Sequence, residues 1–461
     1  PRSAFAISSE VAACLADIAA ALQSHAPTAG VGAAQRRGLL DDLATPASSF
    51  RENLYAAGFS GQTTTVPTTE CVDFFAAARA HLAATIRSNR REDGLYHAYN
   101  LLDWRDDGIV LERLNEMLEG QVAVASAGVL EPRESVELLD ALRSSALYRA
   151  DQDSYMLYPN RTLPRFLEKN RIDPAALQEN PLLLRLLEAG DRSIVRRDVK
   201  GECHFQADLQ NANDLRAALA ALGSDYAAGV ATHGPATVRL YEDTFGHRRF
   251  TGRSGSFFAY EGLGSIYWHM VSKLGLAVAE NFFAALEGDA GDDAAALARH
   301  YRAIQRGIGA EKSPQRYGAF PTDPYSHTPE GAGVKQPGMT GQVKEDILAR
   351  HAELGVHIED GCVEFRPSLF DTSELLTEPG EMCFFDLEGE RRSVPVPADA
   401  YAFTFCQVPI VCRPGAANGI ELVAKDGTSR HITGSRLDRD TSRQLFARTG
   451  EIEMIRCELT E

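Results

Sequence analysis

The first 355 residues carry apolar side chains at three- and four-residue spacing, which is the pattern of amphipathic helices. The clearest segments of this kind are 8–24, 70–89, 110–128, 134–147, 174–190, 208–222, 261–287, 291–308 and 340–354. Shorter apolar stretches at 35–45, 163–170 and 236–245 bring the total to about twelve helices. The pattern therefore predicts a mainly helical region over residues 1–355.

The pattern changes after Gly355. Runs such as GCVEFRPSLF, YAFTFCQVPIVCR and IEMIRCELTE alternate or are rich in β-forming residues, and turn sequences such as DGTS separate them. No strand pattern alternates with a helix pattern, which disfavours a Rossmann fold or a TIM barrel. We therefore predict a mainly α fold, with an (α/α)6 toroid as the catalytic domain over 1–355 and an antiparallel β-sandwich domain over 356–461.

Composition places the 461-residue chain among globular proteins, with 44% hydrophobic and 24% charged residues. Its net charge of −17 argues against nucleic acid or an anionic membrane as the main partner. The eight cysteines form no C-x-x-C pair, and no apolar run is long enough to span a bilayer. These features predict a cytoplasmic protein, and the start at Pro1 leads us to expect a missing upstream domain.

The loop DGLYHAYNLLDWRDDGI, residues 93–109, combines aromatic side chains with four aspartates. Aromatic rings stack on sugar faces, and a carboxylic acid near Trp104 could gain the raised pKa that a general acid needs. We take Tyr96, His97 and Trp104 as candidate substrate-binding residues, and Asp103 and Asp106 as candidate catalytic residues. The alternative is a solvated acidic loop that Trp104 anchors to the core.

A second loop, HRRFTGRSGSFFAYEGLGSIYWHM over residues 247–270, concentrates arginines around glycine and serine. Gly-rich backbone at a helix entry offers free N–H groups, and arginine adds paired donors, so the segment is a candidate anion site. Glu261 follows the Gly-rich part and is a candidate catalytic base, although a helix-start charge is the alternative. A flexible loop with solvated arginines would have the same composition.

Two further segments contribute candidate residues. The Pro-rich loop at 316–342 could cap a binding site with Tyr325 and His327, or it could simply brace two helices. His204, in KGECHFQADLQNANDL, is a candidate ligand-binding residue, with a hydrogen-bonded structural histidine as the alternative. We predict no metal site, because no His or carboxylate pair has clear ligand spacing.

At the two loops the sequence resembles inverting disaccharide phosphorylases of the cellobiose and chitobiose phosphorylase type (glycoside hydrolase family 94). These enzymes carry a D-W-N-D-G/C segment whose second Asp is the general acid, and DWRDDG here implies that role for Asp106. They also carry a T-G-S/T-A/S-G-W/A loop that holds phosphate, which TGRSGS resembles. The resemblance implies that phosphate binds at the following residues: Thr251, Gly252, Arg253 and Ser254, with His204 as a further contact.

The resemblance implies a carbohydrate-active enzyme that cleaves a glycosidic bond with inversion, by phosphorolysis of a β-linked di- or oligosaccharide. Phosphate is itself the nucleophile, so one acid loop and one anion loop suffice, whereas an inverting hydrolase also needs a base. An inverting glycoside hydrolase and a non-catalytic glycan-binding domain remain alternatives. We expect no cofactor beyond inorganic phosphate as co-substrate, a carbohydrate as the partner, and leave open whether the chain forms a homodimer.

Overall fold

The structure, a computed structural model, describes residues 2–247, 263–308, 312–313, 328–329 and 342–460. Within these ranges 47% of the residues are helical and 22% lie in strands, so the fold is mixed. The chain divides into two compact units. Unit 1 comprises Pro1–Val129, Glu137–Tyr267 and His327–Gly333, and unit 2 comprises Leu130–Val136, Trp268–Ser326 and Val334–Glu461. The division into functional domains after residue 355 stays a prediction.

The described helices and strands follow in chain order. The helices are α1 (Ser9–Ser24), α2 (Ala33–Ala57), α3 (Thr68–Ser88), α4 (Leu118–Ala125), α5 (Pro132–Ser144), α6 (Phe166–Lys169), α7 (Pro174–Gln178), α8 (Pro181–Glu188), α9 (Ala212–Ala220), α10 (Ala227–Phe245), α11 (Trp268–Glu287), α12 (Gly291–Ile308), α13 (Gln342–Glu353) and α14 (Arg439–Ala447). The strands are β1 (Ala4–Ser8), β2 (Thr63–Pro67), β3 (Asn100–Arg105), β4 (Gly108–Arg113), β5 (Tyr148–Arg149), β6 (Ser154–Tyr155), β7 (Val195–Arg197), β8 (Cys203–Phe205), β9 (Ser265–Ile266), β10 (Thr328–Pro329), β11 (Val356–Glu359), β12 (Cys362–Phe365), β13 (Gly380–Phe385), β14 (Arg391–Val396), β15 (Tyr401–Phe405), β16 (Val408–Pro414), β17 (Gly419–Ala424), β18 (Ser429–Thr433) and β19 (Ile452–Leu459).

The short helices of unit 1 begin at residues that cap them. Asp173 accepts the backbone N–H of Ala175 at 3.2 Å before α7, and Asn180 accepts that of Leu183 at 3.2 Å before α8. Each helix then starts with proline, whose fixed φ suits the first helical position. These local signals fix where α7 and α8 begin.

Unit 1 contains five two-stranded antiparallel pairings, β1–β2, β3–β4, β5–β6, β7–β8 and β9–β10. One hydrophobic cluster lies entirely between residues 172 and 241, with Leu183, Leu186 and Phe205 each almost fully buried. The cluster joins α7 to α10 with the β7–β8 pair, so this stretch of chain has a core of its own.

Unit 2 contains α11, α12, α13 and a five-stranded sheet in the order β15-β16-β19-β17-β18. Strand β19 lies in the centre, parallel to β16 and antiparallel to β17. Its inward-facing Ile455, Cys457 and Leu459 are buried in a cluster that also holds Ile410 and Ile420. Helix α14 precedes β19, and Asp438 caps it through the N–H of Thr441 at 2.7 Å.

The predicted (α/α)6 toroid is wrong. Such a toroid needs helices that pair in sequence and bury one face each, but in the described residues strand pairs interrupt the helices, and α2 and α3 contain no buried residue. The apolar run at 110–128 misled the prediction, because it begins as strand β4 and becomes helical only at Leu118. The predicted antiparallel β-sandwich is also wrong, since the five-stranded sheet is mixed and carries α14.

Two further features concern membrane-spanning helices and the cysteines. Among the residues that the structure describes, no helix has the length and apolar character needed to cross a membrane. All eight cysteines fall within the described ranges and are free thiols, and three of them are buried: Cys203, Cys412 and Cys457.

Candidate functional site

The aspartate-rich loop forms a hairpin of β3 and β4. Arg105 pairs with Gly108, which leaves Asp106 and Asp107 as the two turn residues. Gly108 has a φ of +149°, and a Cβ there would lie 2.4 Å from the backbone carbon of Ala33 in α2. Only glycine permits this close approach, so the hairpin rests directly on the start of α2.

Strand geometry separates the residues that were expected to work together. Successive side chains in a strand point to opposite faces, so Asp103 and Trp104 lie on different faces of the hairpin. Asp103 accepts a hydrogen bond from Nε of Arg105 at 2.8 Å. Trp104 is 55% exposed, and the guanidinium of Arg37 lies 5.0 Å from its ring centroid. Trp104 is therefore available for stacking, but on the face opposite Asp103.

Asp106 lies at the tip of the hairpin and is exposed. A general acid usually depends on burial to hold its proton at neutral pH, and the hairpin tip offers no such burial. The candidate acid therefore lacks, within the described residues, the local environment that the sequence analysis expected from Trp104.

Tyr96 and His97 precede the hairpin and are held mainly by local contacts. The side-chain amide of Gln121 accepts the N–H of Tyr96 at 2.8 Å and donates to its carbonyl at 2.8 Å, and Tyr96 is only 2% exposed. His97 is half-buried, and burial, with a smaller effect from the charge of Arg113, lowers the pKa of its imidazole. His97 is thus held towards its neutral form, whereas Tyr96 is a core residue.

His204 lies in β8 and is buried, with an exposed fraction of 6%. Its Nδ1 donates to the backbone carbonyl of Asn170, and its Nε2 lies 3.4 Å from Oδ2 of Asp198. The side chain of Asn170 also binds both backbone groups of Phe205, at 2.8 and 2.9 Å. His204 is therefore built into the β7–β8 pair and faces a carboxylate, which does not favour a direct phosphate contact.

The other candidate residues lie outside the described part of the chain. They are Thr251, Gly252, Arg253 and Ser254 of the anion loop, the candidate base Glu261, and the candidate substrate-binding residues Tyr325 and His327. Their roles stay predictions.

The sequence analysis missed a polar cluster on the β5–β6 hairpin. Asp153, with a left-handed φ of +48°, accepts hydrogen bonds from the Tyr148 hydroxyl and from Arg143 at 3.1 Å. Arg149 is 5% exposed and donates to both carboxylate oxygens of Asp151, at 2.8 and 2.9 Å. The signal in the sequence was the charged run RADQD between two tyrosines, a short turn bounded by strand-forming residues.

The polar cluster has a defined electrostatic state. The hydrogen bond from Arg149 lowers the pKa of the Asp151 carboxyl. Asp151 therefore stays ionised and cannot serve as a general acid at neutral pH. Burial, aided by the hydrogen bond to Asp153, raises the pKa of Tyr148 to about 12. The cluster can therefore offer fixed hydrogen-bond acceptors and donors for hydroxyl groups.

The chain that follows the β5–β6 hairpin pairs with residues 264–266. The N–H of Leu157 donates to the carbonyl of Ser265 at 2.8 Å, and the N–H of Gly264 donates to the carbonyl of Tyr158 at 3.2 Å. Met156 also forms a bridge with Ile266. The backbone that follows the β5–β6 hairpin is therefore paired with the residues that directly follow the Gly-rich segment.

Comparison with known proteins gives one family match. Residues 163–248 match the model of GH149 phosphorylase insertion domain 2. The match links this stretch, less than a fifth of the chain, to a GH149-like phosphorylase family, a relative of the GH94-type disaccharide phosphorylases, and so bears out the resemblance to that group. No curated protein matches the chain significantly. The matched stretch contains the whole hydrophobic cluster of α7 to α10, as expected for an inserted domain.

Proposed function

We propose that this chain, as a member of a GH149-like phosphorylase family, catalyses phosphorolysis of a β-linked di- or oligosaccharide with inversion. The observation that carries the proposal is the match over residues 163–248. It is supported by the predicted anion loop, whose sequence TGRSGS resembles the phosphate-binding loop of the disaccharide phosphorylases.

The chemistry requires one proton donor and one held anion. An acid protonates the glycosidic oxygen, while an oxygen of phosphate attacks the anomeric carbon from the opposite face and the bond to the leaving sugar breaks. A β-linked substrate then yields an α-sugar 1-phosphate and a shortened sugar. No general base is needed, because phosphate is already a nucleophile at neutral pH.

We assign the anion site to Thr251, Gly252, Arg253 and Ser254, and the acid to Asp106, on the basis of the resemblance. The exposed position of Asp106 makes a second carboxylate worth testing. Glu261 is that carboxylate, because it follows the anion loop closely in the sequence.

The experiment is a panel of β-linked di- and oligosaccharides, incubated with and without inorganic phosphate and assayed for sugar 1-phosphate. Asp106→Asn should lower turnover by about 10²–10⁴, the usual share of a general acid. Asp107→Asn is the matched control, since Asp107 shares the exposed turn. If Asp107→Asn and Asp106→Asn both retain full turnover and Glu261→Gln loses it, the acid assignment moves to Glu261.

Arg253→Ala tests the anion site independently. Losing one charge-assisted contact is worth about 1.5–3 kcal/mol, so the Michaelis constant for phosphate should rise by one to two powers of ten, with little change for the sugar. Cleavage that proceeds equally without phosphate and releases free reducing sugar would instead identify a hydrolase, with Glu261 as the candidate base.

The exposed Asp106 favours one further candidate, a glycan-binding chain without catalytic activity of its own. In that case Trp104, which is 55% exposed, would carry sugar binding through stacking. Saturable binding of an oligosaccharide that Trp104→Ala abolishes, together with no sugar 1-phosphate under any condition, would support this candidate over the phosphorylase.

A further inference from the structure

The β7–β8 hairpin brings together three side chains whose spacing in the sequence matches no metal-binding motif. Ligand atoms of Asp198, Glu202 and His204 all lie within 4.8 Å of one another. Asp198 closes the turn, because its Oδ1 accepts the N–H groups of Lys200 and Glu202 at 2.8 Å each. This leaves Oδ2 of Asp198 directed at the imidazole of His204.

The imidazole of His204 is fixed in its position from the opposite side. Its Nδ1 donates to the backbone carbonyl of Asn170, so in the neutral ring Nε2 carries a lone pair. This Nε2 atom lies 3.4 Å from Oδ2 of Asp198, which is also a hydrogen-bond acceptor. Two acceptors at this distance, one of them on a buried side chain, repel each other unless a cation lies between them or the ring itself takes a proton.

The arrangement matches the way proteins prepare histidine for metal binding. A histidine that ligates a metal through one nitrogen almost always donates its other N–H to a carbonyl or carboxylate, which fixes the tautomer. In tetrahedral coordination with metal bonds of about 2.0–2.1 Å, neighbouring ligand atoms are roughly 3.4 Å apart, close to the Asp198–His204 spacing. Glu202 offers a third ligand atom, which lies within 4.8 Å of the other two.

The charges around the cluster are compatible with a divalent ion. Asp198 and Glu202 place two negative charges beside the imidazole, and Arg171 balances one of them. Arg171 holds Oε1 of Glu202 at 2.7 Å, which leaves the second carboxylate oxygen available and fixes the direction of the side chain. Asp198 and Glu202 are both partly exposed, which provides an entry path from solvent.

We propose that Asp198, Glu202 and His204 bind a first-row divalent cation such as Zn²⁺, in a site that ties the β7–β8 turn to Asn170. One imidazole and two carboxylates suit Zn²⁺ and its neighbours better than Mg²⁺ or Ca²⁺, which prefer oxygen alone. The site is independent of phosphorolysis. It lies within residues 163–248 and acts by stabilising that region, since a ion that binds only the folded state shifts the folding equilibrium.

The test is metal binding by the full chain, stripped with a chelator and dialysed against ZnCl₂ at neutral pH. Metal content by mass spectrometry should reach one equivalent of Zn²⁺ above that of the variants. Asp198→Asn and Glu202→Gln, which keep the side-chain shapes, should each lower Zn²⁺ affinity at least about tenfold. His204→Gln should do the same, and the two carboxylate variants remain informative if that buried change prevents folding.

His25→Gln is the matched control. His25 also pairs with a carboxylate, Asp42, at 2.8 Å, but on the surface and outside any cluster of three possible ligands among the described residues. It should leave Zn²⁺ affinity unchanged. Failure of the stripped chain to bind Zn²⁺, or binding that Asp198→Asn and Glu202→Gln do not weaken, would overturn the proposal and indicate that a proton on His204 balances Asp198.

Discussion

Asn170 holds the edge of β8, and its replacement by alanine should release that edge. The residue is 2% exposed, and its side chain donates to the carbonyl of Phe205 at 2.8 Å and accepts its N–H at 2.9 Å. In Asn170→Ala both backbone groups lose their partner inside the protein. Each unsatisfied buried group costs about 1–3 kcal/mol, so the local destabilisation should be roughly 2 kcal/mol or more.

Hydrogen exchange is the appropriate assay, because it reports the opening of one region rather than of the whole chain. A loss of about 2 kcal/mol corresponds to roughly thirty-fold faster exchange at amides that open with β8, including that of Phe205. Mass spectrometry of a peptide that covers Cys203–Phe205 measures this rate. Asn213→Ala is the control, because the Asn213 side chain is exposed and accepts a hydrogen bond from Arg216 at 2.8 Å rather than from β8.

The reasoning would be refuted if the two variants exchanged alike over Cys203–Phe205. That result would mean that water satisfies the backbone of Phe205 in the variant, and that the pairing with Asn170 adds nothing to the stability of the strand. Exchange that accelerates across the entire chain would also contradict the prediction, since the hydrophobic cluster of α7 to α10 is local to this stretch.

Three further predictions test other parts of the structure. Gly108→Ala should displace the β3–β4 hairpin from α2, because the new Cβ would lie 2.4 Å from the backbone of Ala33. Limited proteolysis should then cut near the hairpin. Gly427→Ala is the control: the space around Gly427 is open, so this change should not cause the cleavage. Tyr148 should titrate near pH 12 rather than near its ordinary value of 10. Because its pKa is raised in the folded state, its contribution to stability is complete below pH 10 and is lost as the pH rises through 12. Ultraviolet titration of Tyr148→Phe against the parent protein checks this, and an unchanged titration curve contradicts it. Acrylamide should quench one of the two tryptophans, since Trp104 is 55% exposed and Trp268 is 0% exposed, and Trp104→Phe should leave only the protected emission.

The helix periodicity predicted several long helices well, but it gave only 35–45 for α2 (Ala33–Ala57) and 236–245 for α10 (Ala227–Phe245), and it failed where a strand interrupts the apolar pattern. The segment 291–308 coincides with α12, because Asp292 and Asp293 mark its start and an apolar face runs along its length. The region at 110–128 failed for a physical reason. Residues 108–113 form strand β4, which pairs with β3. The sequence analysis took the segment that contains β3 for an acidic loop.

Helix α14 was missed because its environment is set by distant residues. The sequence around Ser442 in α14 shows no pattern that reveals its partner. The Ser442 hydroxyl accepts the N–H of Val363, 79 positions away in the sequence, at 3.0 Å. The mixed order of the sheet was missed for the same reason, since nothing local tells β19 to run parallel to β16.

The candidate site shows the same division between local and long-range information. Motif resemblance pointed to phosphorylases, and the match of residues 163–248 to a GH149 phosphorylase insertion domain bears out that resemblance. It could not reveal that Asp103 and Trp104 occupy opposite faces, which follows only once β3 is known to be a strand. The clustering of Asp198 with His204 likewise depends on the turn that folds β7 against β8.

The central position of β19 has a consequence for biosynthesis. This strand follows β15, β16, β17 and β18 in the chain, yet β16 and β17 meet only through it. Until Ile452–Leu459 has been synthesised and has paired, the sheet has two separate halves with unpaired inner edges, which are the edges most prone to associate with other chains. Segments that precede this sheet can begin to fold during synthesis, but the sheet itself closes only after β19 has emerged, and chaperone protection matters most for these unpaired edges.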